Sequence, residues 1–173
     1  VLVLSGSIPN TLPDDMYERI MERLAGTDVR IGVDATKDLL MNVLKYHPFL
    51  IKPNNHELGE MFGVTLKSDE EIGEYARKLQ KMGARNVLVS MAGDGAILVA
   101  EDGSVLKQLP PAGEVVNSVG AGDSMVAGFL AGYLKTGSYE EALKLGTAAG
   151  SATAFTSWLA DADQIRETYK GLA

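Results

Sequence analysis

The sequence predicts an α/β fold with a doubly wound, mostly parallel sheet. Three observations carry that expectation. Short apolar runs of strand length alternate with longer stretches of helical period. The runs are apolar throughout rather than alternating, the pattern of strands covered on both faces. The runs stop at polar or glycine clusters: Ser5-Gly6-Ser7, Asp34, Lys52-Pro53-Asn54 and Ser90-Met-Ala-Gly-Asp-Gly95. In such sheets ligands bind outside the carboxyl ends of the strands, so the clusters are where chemistry is expected.

The elements follow in order. Residues 1–4 read as a buried strand. Thr11-Leu-Pro-Asp14 caps a helix running to Ala25, with Met16, Ile20, Met21 and Leu24 on one face. A strand at 29–33 precedes a helix at 37–46 that turns Leu39, Leu40, Val43 and Leu44 inward. A short strand at 49–51 leads to helices at 55–62 and 69–82, the second opened by the capping box Ser68-Asp-Glu-Glu71. Strand 86–90 is followed by a hairpin, 96–100 and 105–106, around Glu101-Asp-Gly-Ser104. Ser138-Tyr-Glu-Glu141 caps a helix at 139–156, whose Gly146, Ala148, Ala149, Gly150, Ala152 and Ala154 permit close approach. A last helix spans 161–171.

Composition sets limits. With 173 residues, 46% hydrophobic and 23% charged, the chain suits a single domain over 1–173. A net charge of −7 argues against a nucleic-acid partner. The absence of cysteine excludes disulfides and thiolate metal sites, and it fits a cytoplasmic location. No apolar run approaches the roughly 20 residues of a membrane helix. Val1-Leu-Val-Leu4 reads as a strand already under way, so the chain is expected to be the C-terminal part of a longer protein.

The stretch 114–133 is the most informative. Asn117 to Gly122 is small and glycine-containing, and Val126, Phe129, Leu130, Tyr133 and Leu134 share one helical face. A loop should feed a helix that begins near Gly122 or Asp123. The first N–H groups of a helix lack intrahelical acceptors and carry the positive end of its dipole. Gly120, Ala121 and Gly122 have little side chain to hold an anion away, so a phosphate fits there. Asp123 beside it suits proton abstraction during phosphoryl transfer. The alternative is a glycine-rich approach to a close-packed helix, with Asp123 complementing the dipole. No G-x-x-x-x-G-K-[ST] occurs, and Gly120-Ala-Gly122-Asp-Ser-Met125 lacks the third glycine of a dinucleotide fingerprint. A Rossmann-type dehydrogenase is therefore disfavoured.

Val119-Gly-Ala-Gly-Asp-Ser124, followed by Met-Val-Ala-Gly-Phe129, resembles the second signature of the ribokinase-like (PfkB) carbohydrate kinases. The resemblance covers the whole chain but only the C-terminal portion of a typical member, without the N-terminal part and lid. Where that family often has Asp-Thr-Thr, this chain has Asn117, Ser118 and Val119. That departure is similar to the hexose-phosphate branch of 1-phosphofructokinases and tagatose-6-phosphate kinases. The resemblance implies transfer of a phosphoryl group from ATP to a sugar phosphate, fructose 1-phosphate giving fructose 1,6-bisphosphate, with tagatose 6-phosphate as the alternative acceptor. It implies Asp123 as catalytic base and Gly120, Ala121 and Gly122 as the anion hole. It implies that Ser5 and Gly6 touch the sugar and that Asn54 and Glu57, an Asn-x-x-Glu motif, position Mg²⁺, with Glu57 as the metal residue. Ser90, Gly93 and Gly95 are then candidates for contacting ATP.

Each of these has a plainer reading. Ser5-Gly6-Ser7 makes a tight turn, Asn54 and Glu57 make a capping box, and Asp94-Gly95 is an ordinary turn pair. Lys52 at a strand end suits a phosphate as a point charge. Lys37 is expected to be exposed, His47 and His56 to lie at the surface without a metal, and Trp158 and Tyr169 to pack. A non-catalytic nucleotide-binding module remains the competing function. Partners are expected to be a phosphosugar and ATP, with no nucleic acid or membrane; a homodimer is open to the full-length protein. The sugar-side basic residues and lid cannot be assigned here, so the 173 residues alone are expected to have little kinase activity.

Overall fold

In the computed structural model, which describes residues 1–172 apart from the Lys37 side chain, the strands form one sheet in chain order. They are β1 (Leu2–Ser5), β2 (Ile31–Asp34), β3 (Leu50–Ile51), β4 (Asn86–Ser90), β5 (Ala96–Val99) and β6 (Val105–Gln108). β1 to β4 pair in parallel, with Ser5 opposite Asp34 and Ile51 opposite both Val33 and Val87. The links 91–95 and 100–104 are too short for parallel crossovers, so β5 and β6 run antiparallel to their neighbours. The helices are α1 (Met16–Arg23), α2 (Lys37–Val43), α3 (Asn55–Phe62), α4 (Asp69–Lys81), α5 (Ala121–Thr136), α6 (Tyr139–Ala154) and α7 (Ala162–Lys170). This is the expected α/β class with a mostly parallel sheet. The chain divides into two compact units, residues 1–90 with 97–105, and residues 91–96 with 106–173.

The first unit holds the sheet core. Val33, Leu50, Ile51, Val87, Leu88, Val89, Ile97, Leu98 and Val99 are all buried, as strands covered on both faces must be. β1 departs from the expectation of a buried strand. It is outermost in the sheet, and Val1 and Val3 are 55% and 41% exposed. Asn86 is buried within β4 and fully used: its amide donates to Phe49 O at 2.8 Å and its oxygen accepts the Glu101 N–H at 3.0 Å. At α4 only half of the expected capping box forms. Ser68 Oγ accepts the Glu71 N–H, while the Glu71 carboxylate takes the N–H of Lys67 rather than of Ser68. α1 is shorter than expected, because Pro13–Asp15 forms a turn before it, and Tyr17 joins Met21 as its buried residue. The expected helix over 37–46 ends as a 3₁₀ turn at Leu44–Tyr46.

The second unit is organised by α5 and α6. Ser138 caps α6 by accepting the Glu141 N–H. The buried face of α5 is Val126, Gly128, Phe129, Leu130 and Gly132. Leu134, expected on that face, is 55% exposed. The glycines displace it, because they let α6 come close on their side of the helix. A Cβ on Gly128 would lie 2.7 Å from Leu145 O and 2.8 Å from Ala149 Cβ; one on Gly146 would lie 3.0 Å from Met125 O. Trp158, expected to pack, is 80% exposed; Tyr169 is half-buried and bonds Glu141 through its hydroxyl. Among the described residues no helix is long and apolar enough to cross a membrane.

The glycine contact is testable. Gly128→Ala gains helix propensity of about 1 kcal/mol. It must also push a methyl into backbone that cannot give, an overpacking cost of about 1–3 kcal/mol. A net loss of stability is expected, seen as a lower urea midpoint at unchanged m-value; an unchanged or higher midpoint would contradict the close packing.

Candidate active site

The parallel register brings the polar ends of β1, β2 and β3 side by side in the first unit. Ser5 ends β1 opposite Asp34 at the end of β2, and the Gly6 N–H donates to Asp34 O at 2.9 Å. Gly6 takes a left-handed φ of 85°, so the chain turns sharply away from the sheet. The Tyr17 hydroxyl, from α1, lies 2.9 Å from Ser5 O and 3.1 Å from Gly6 O. Past β3, the Lys52 N–H donates to Val33 O, and its ammonium stands 3.4 Å from Asp34 Oδ1. Lys52 is only 7% exposed. A buried ammonium is costly without a counter-charge, and Asp34 supplies one.

The next cluster follows at once. Asn54 pairs with Ser90 in a parallel bridge, and the Ser90 N–H donates to Pro53 O at 3.1 Å. This places Ser90, at the end of β4, beside the start of α3. Asn54 caps α3: its Oδ1 accepts the Glu57 N–H, and Glu57 Oε2 accepts the Asn54 N–H, both at 2.8 Å. The capping box expected from the spacing is therefore formed. It holds the Glu57 carboxylate, half-buried, at the carboxyl edge of the sheet. Among the described residues no three acidic or histidine side chains cluster as a metal cage. A lone carboxylate fits Mg²⁺, which keeps several waters and takes few protein ligands beside substrate phosphates. His56 is exposed, and exposed His47 lies 3.1 Å from Gly83 O through Nδ1. Lys37 opens α2, and its side chain lies outside the described residues.

In the second unit, the segment before α5 is pinned rather than loose. The N–H groups of Val116 and Asn117 both donate to Ala154 O, and Asn117 Oδ1 accepts the Val119 N–H. Gly120 then takes φ 81° as the N-cap. A side chain there would need that left-handed backbone and would put Cβ 2.6 Å from Leu159 Cδ2. The helical ladder starts at Ser124, whose N–H donates to Gly120 O at 2.9 Å. Helix initiation thus falls one residue earlier than the sequence suggested. The N–H groups of Gly120 and Gly122 have no acceptor among the described residues; that of Ala121 donates to Ser118 O at 3.2 Å. The proposed three-amide cradle is therefore two amides plus one already engaged in a turn. Asp123 stands exposed in the first turn of α5. Thr153, from α6, donates to Ser124 Oγ and accepts the Ala160 N–H. Gly93 lies in a one-turn 3₁₀ helix, and Gly95 closes it with φ 88°; a Cβ there would sit 2.1 Å from Gln108 O.

The structure thus gathers Ser5, Gly6, Lys52, Asn54, Glu57 and Ser90 at strand ends of the first unit. It places Gly120, Gly122 and Asp123 on one helix start of the second. Sequence reasoning missed Tyr17 and gave Asp34 no partner. Asp34 was visible as the last residue of a strand, but its link to Lys52 depends on register between strands. Tyr17 follows Met16 on α1, off the apolar stripe read from the sequence.

Comparisons with known proteins identify the family. A model described as pfkB family carbohydrate kinase matches residues 1–162. Among curated relatives, the 1-phosphofructokinase of Bacillus subtilis is 47% identical over 96% of this chain, and the D-tagatose-1-phosphate kinase of Bacillus licheniformis is 39% identical over 96%. A crystal structure of a candidate phosphofructokinase from Staphylococcus aureus superposes with a TM-score of 0.94 at 42% identity, covering 99% of this chain and 56% of that one. The chain spans about half the length of the curated relatives it matches, 55% in both cases.

The Tyr17 phenol is held above its usual 10.0, first by burial and then by the negative charge of Asp34. A group raised on folding stabilises the fold below its unfolded pKa, and that contribution is lost as pH rises through the folded value. Urea unfolding of the wild type and Tyr17→Phe should therefore differ constantly at neutral pH. The difference should shrink above the usual 10.0; curves that stay parallel there would contradict the assignment.

Proposed function

Because this chain belongs to the pfkB family of carbohydrate kinases, we propose that the whole protein transfers the γ-phosphoryl group of ATP to a free hydroxyl of a hexose phosphate. Fructose 1-phosphate is the favoured acceptor and fructose 1,6-bisphosphate the product. The observation that carries the reading is the start of α5. A left-handed Gly120 leaves two amides without acceptors beside an exposed acid in the first turn. The acceptor hydroxyl gives its proton to the Asp123 carboxylate as its oxygen bonds to the γ-phosphorus, and the bond to the ADP oxygen breaks. The Gly120 and Gly122 N–H groups face the charge on the transferring oxygens, at the positive end of the helix dipole. The Ala121 N–H joins them only by giving up its 3.2 Å bond to Ser118 O.

The other residues take supporting roles in the same reading. Glu57, held by Asn54, carries Mg²⁺, which neutralises phosphate oxygens of ATP when bound. Lys52, Ser90, Gly93 and Gly95 serve the nucleotide, and Ser5 and Gly6 the sugar. The protein works in the cytoplasm, where its absence of cysteine is in keeping with a reducing environment. The similarity to a D-tagatose-1-phosphate kinase favours a tagatose phosphate as the second candidate acceptor. A panel of hexose phosphates separates the two.

Two experiments test this. In the whole protein, Asp123→Asn should lose most of its kcat, on the order of 100-fold or more for removal of a general base, while the KM for ATP stays near wild type. Turnover that survives the substitution would exclude Asp123 as the base. In thermal-shift measurements, Mg-ATP should raise Tm and NAD should not; a shift with NAD instead would favour dinucleotide chemistry.

A further inference from the structure

We propose that Tyr17 is a positioning residue for the sugar acceptor, acting through the Ser5-Gly6 turn. The proposal rests on the kinase reading above, which assigns that turn to the acceptor.

Tyr17 is 8% exposed, and its ring packs in the first unit as a phenylalanine would. Its hydroxyl is what a phenylalanine lacks. A buried hydroxyl needs a partner, and this one faces two consecutive carbonyls, Ser5 O and Gly6 O. One proton shared between two main-chain oxygens fixes the orientation of both peptide planes. Gly6 is held from its other side by the N–H bond to Asp34 O. The left-handed turn is therefore clamped at its amide and at two carbonyls.

The clamp has a direction. Ser5, Gly6 and Ser7 are exposed, and a Cβ on Gly6 would meet nothing within 4 Å. At Gly6 the turn faces open space on one side and the Tyr17 hydroxyl on the other, so its inner face is committed. Glycine is required there by backbone conformation rather than by crowding. The same Asp34 that receives the Gly6 N–H through its main chain holds the Lys52 ammonium through its carboxylate. Tyr17, the turn, Asp34 and Lys52 thus form one connected set across the ends of three strands. A floppy turn would have to be ordered each time the acceptor binds; a clamped turn has that cost removed beforehand. The consequence falls on acceptor binding, not on the chemical step.

The experiment uses the whole protein, with fructose 1-phosphate and Mg-ATP as substrates. Tyr17→Phe keeps the ring and removes the clamp. The expected result is a rise in the sugar KM of about five- to tenfold, the worth of one hydrogen bond, with kcat and the KM for ATP unchanged. Gly6→Ala disturbs the same turn through its left-handed backbone while keeping the Tyr17 hydroxyl, and it should also raise the sugar KM. The double variant should be no worse than the poorer single one, because both act through one element. A folded Tyr17→Phe with an unchanged sugar KM overturns the proposal, as does an equal loss in kcat and in both KM values. If Tyr17→Phe does not fold, Tyr17→Met, a second side chain without the hydroxyl, decides by the same criteria. Failure of the kinase reading is seen separately, in the wild type: no turnover with any hexose phosphate removes that reading and this proposal with it.

Discussion

Four glycines let α5 and α6 meet backbone to backbone, and the position of Asp123 follows from that contact. Gly128 and Gly132 on α5 face Leu145, Ala149 and Ala142 on α6; Gly146 and Gly150 face Met125 and Ala121 in return. Gly150 is the decisive one, because it bears on Ala121 O at the first residue of α5. Just beyond it, Thr153 bonds Ser124, and Ala154 O receives two N–H groups of the segment that precedes the helix. The start of α5 is therefore set by rigid neighbours before any ligand arrives. Donors fixed in advance are worth more to a reaction than donors that must reorganise.

The first unit solves a different problem, how to keep charge at the carboxyl edge of an apolar sheet. Lys52 is nearly buried and would be costly alone. Parallel register places Asp34 within reach, and the capping box keeps Glu57 at the neighbouring strand end. The structural role of these groups is compatible with the chemistry proposed for them. Glu57 caps its helix with Oε2, and capping is what orients the carboxylate. Lys52 pairs with Asp34, and pairing is what keeps an ammonium at a strand end.

Much of this was legible from residues alone. Asn54 and Glu57 form the capping box their spacing announces, since capping is a contact between residues three apart and needs nothing else from the fold. The Gly120-Ala-Gly-Asp123 segment opens a helix because the apolar period starts immediately after it. His47 and His56 lie at the surface as expected. The failures share a cause. Leu134 fits the apolar period of α5 yet is exposed, because the partner helix docks on the glycine stripe instead. Residues 1–4 are apolar enough for a buried strand, yet they form the outermost one. Ser68 has its glutamate three residues on, yet that carboxylate chose the Lys67 amide.

Local chemistry, then, was written in the chain: alternation of strand and helix, the caps, the glycine-rich helix start with its acid, and the family those residues mark. These depend on neighbours within a few positions, where covalent geometry leaves few choices. Strand order, the pairing of Lys52 with Asp34, the reach of Tyr17 to the Ser5-Gly6 turn and the engaged Ala121 amide came only with the tertiary structure. Each joins groups whose distance is set by register and packing rather than by separation along the chain, and no periodicity in one segment encodes which other segment will lie against it.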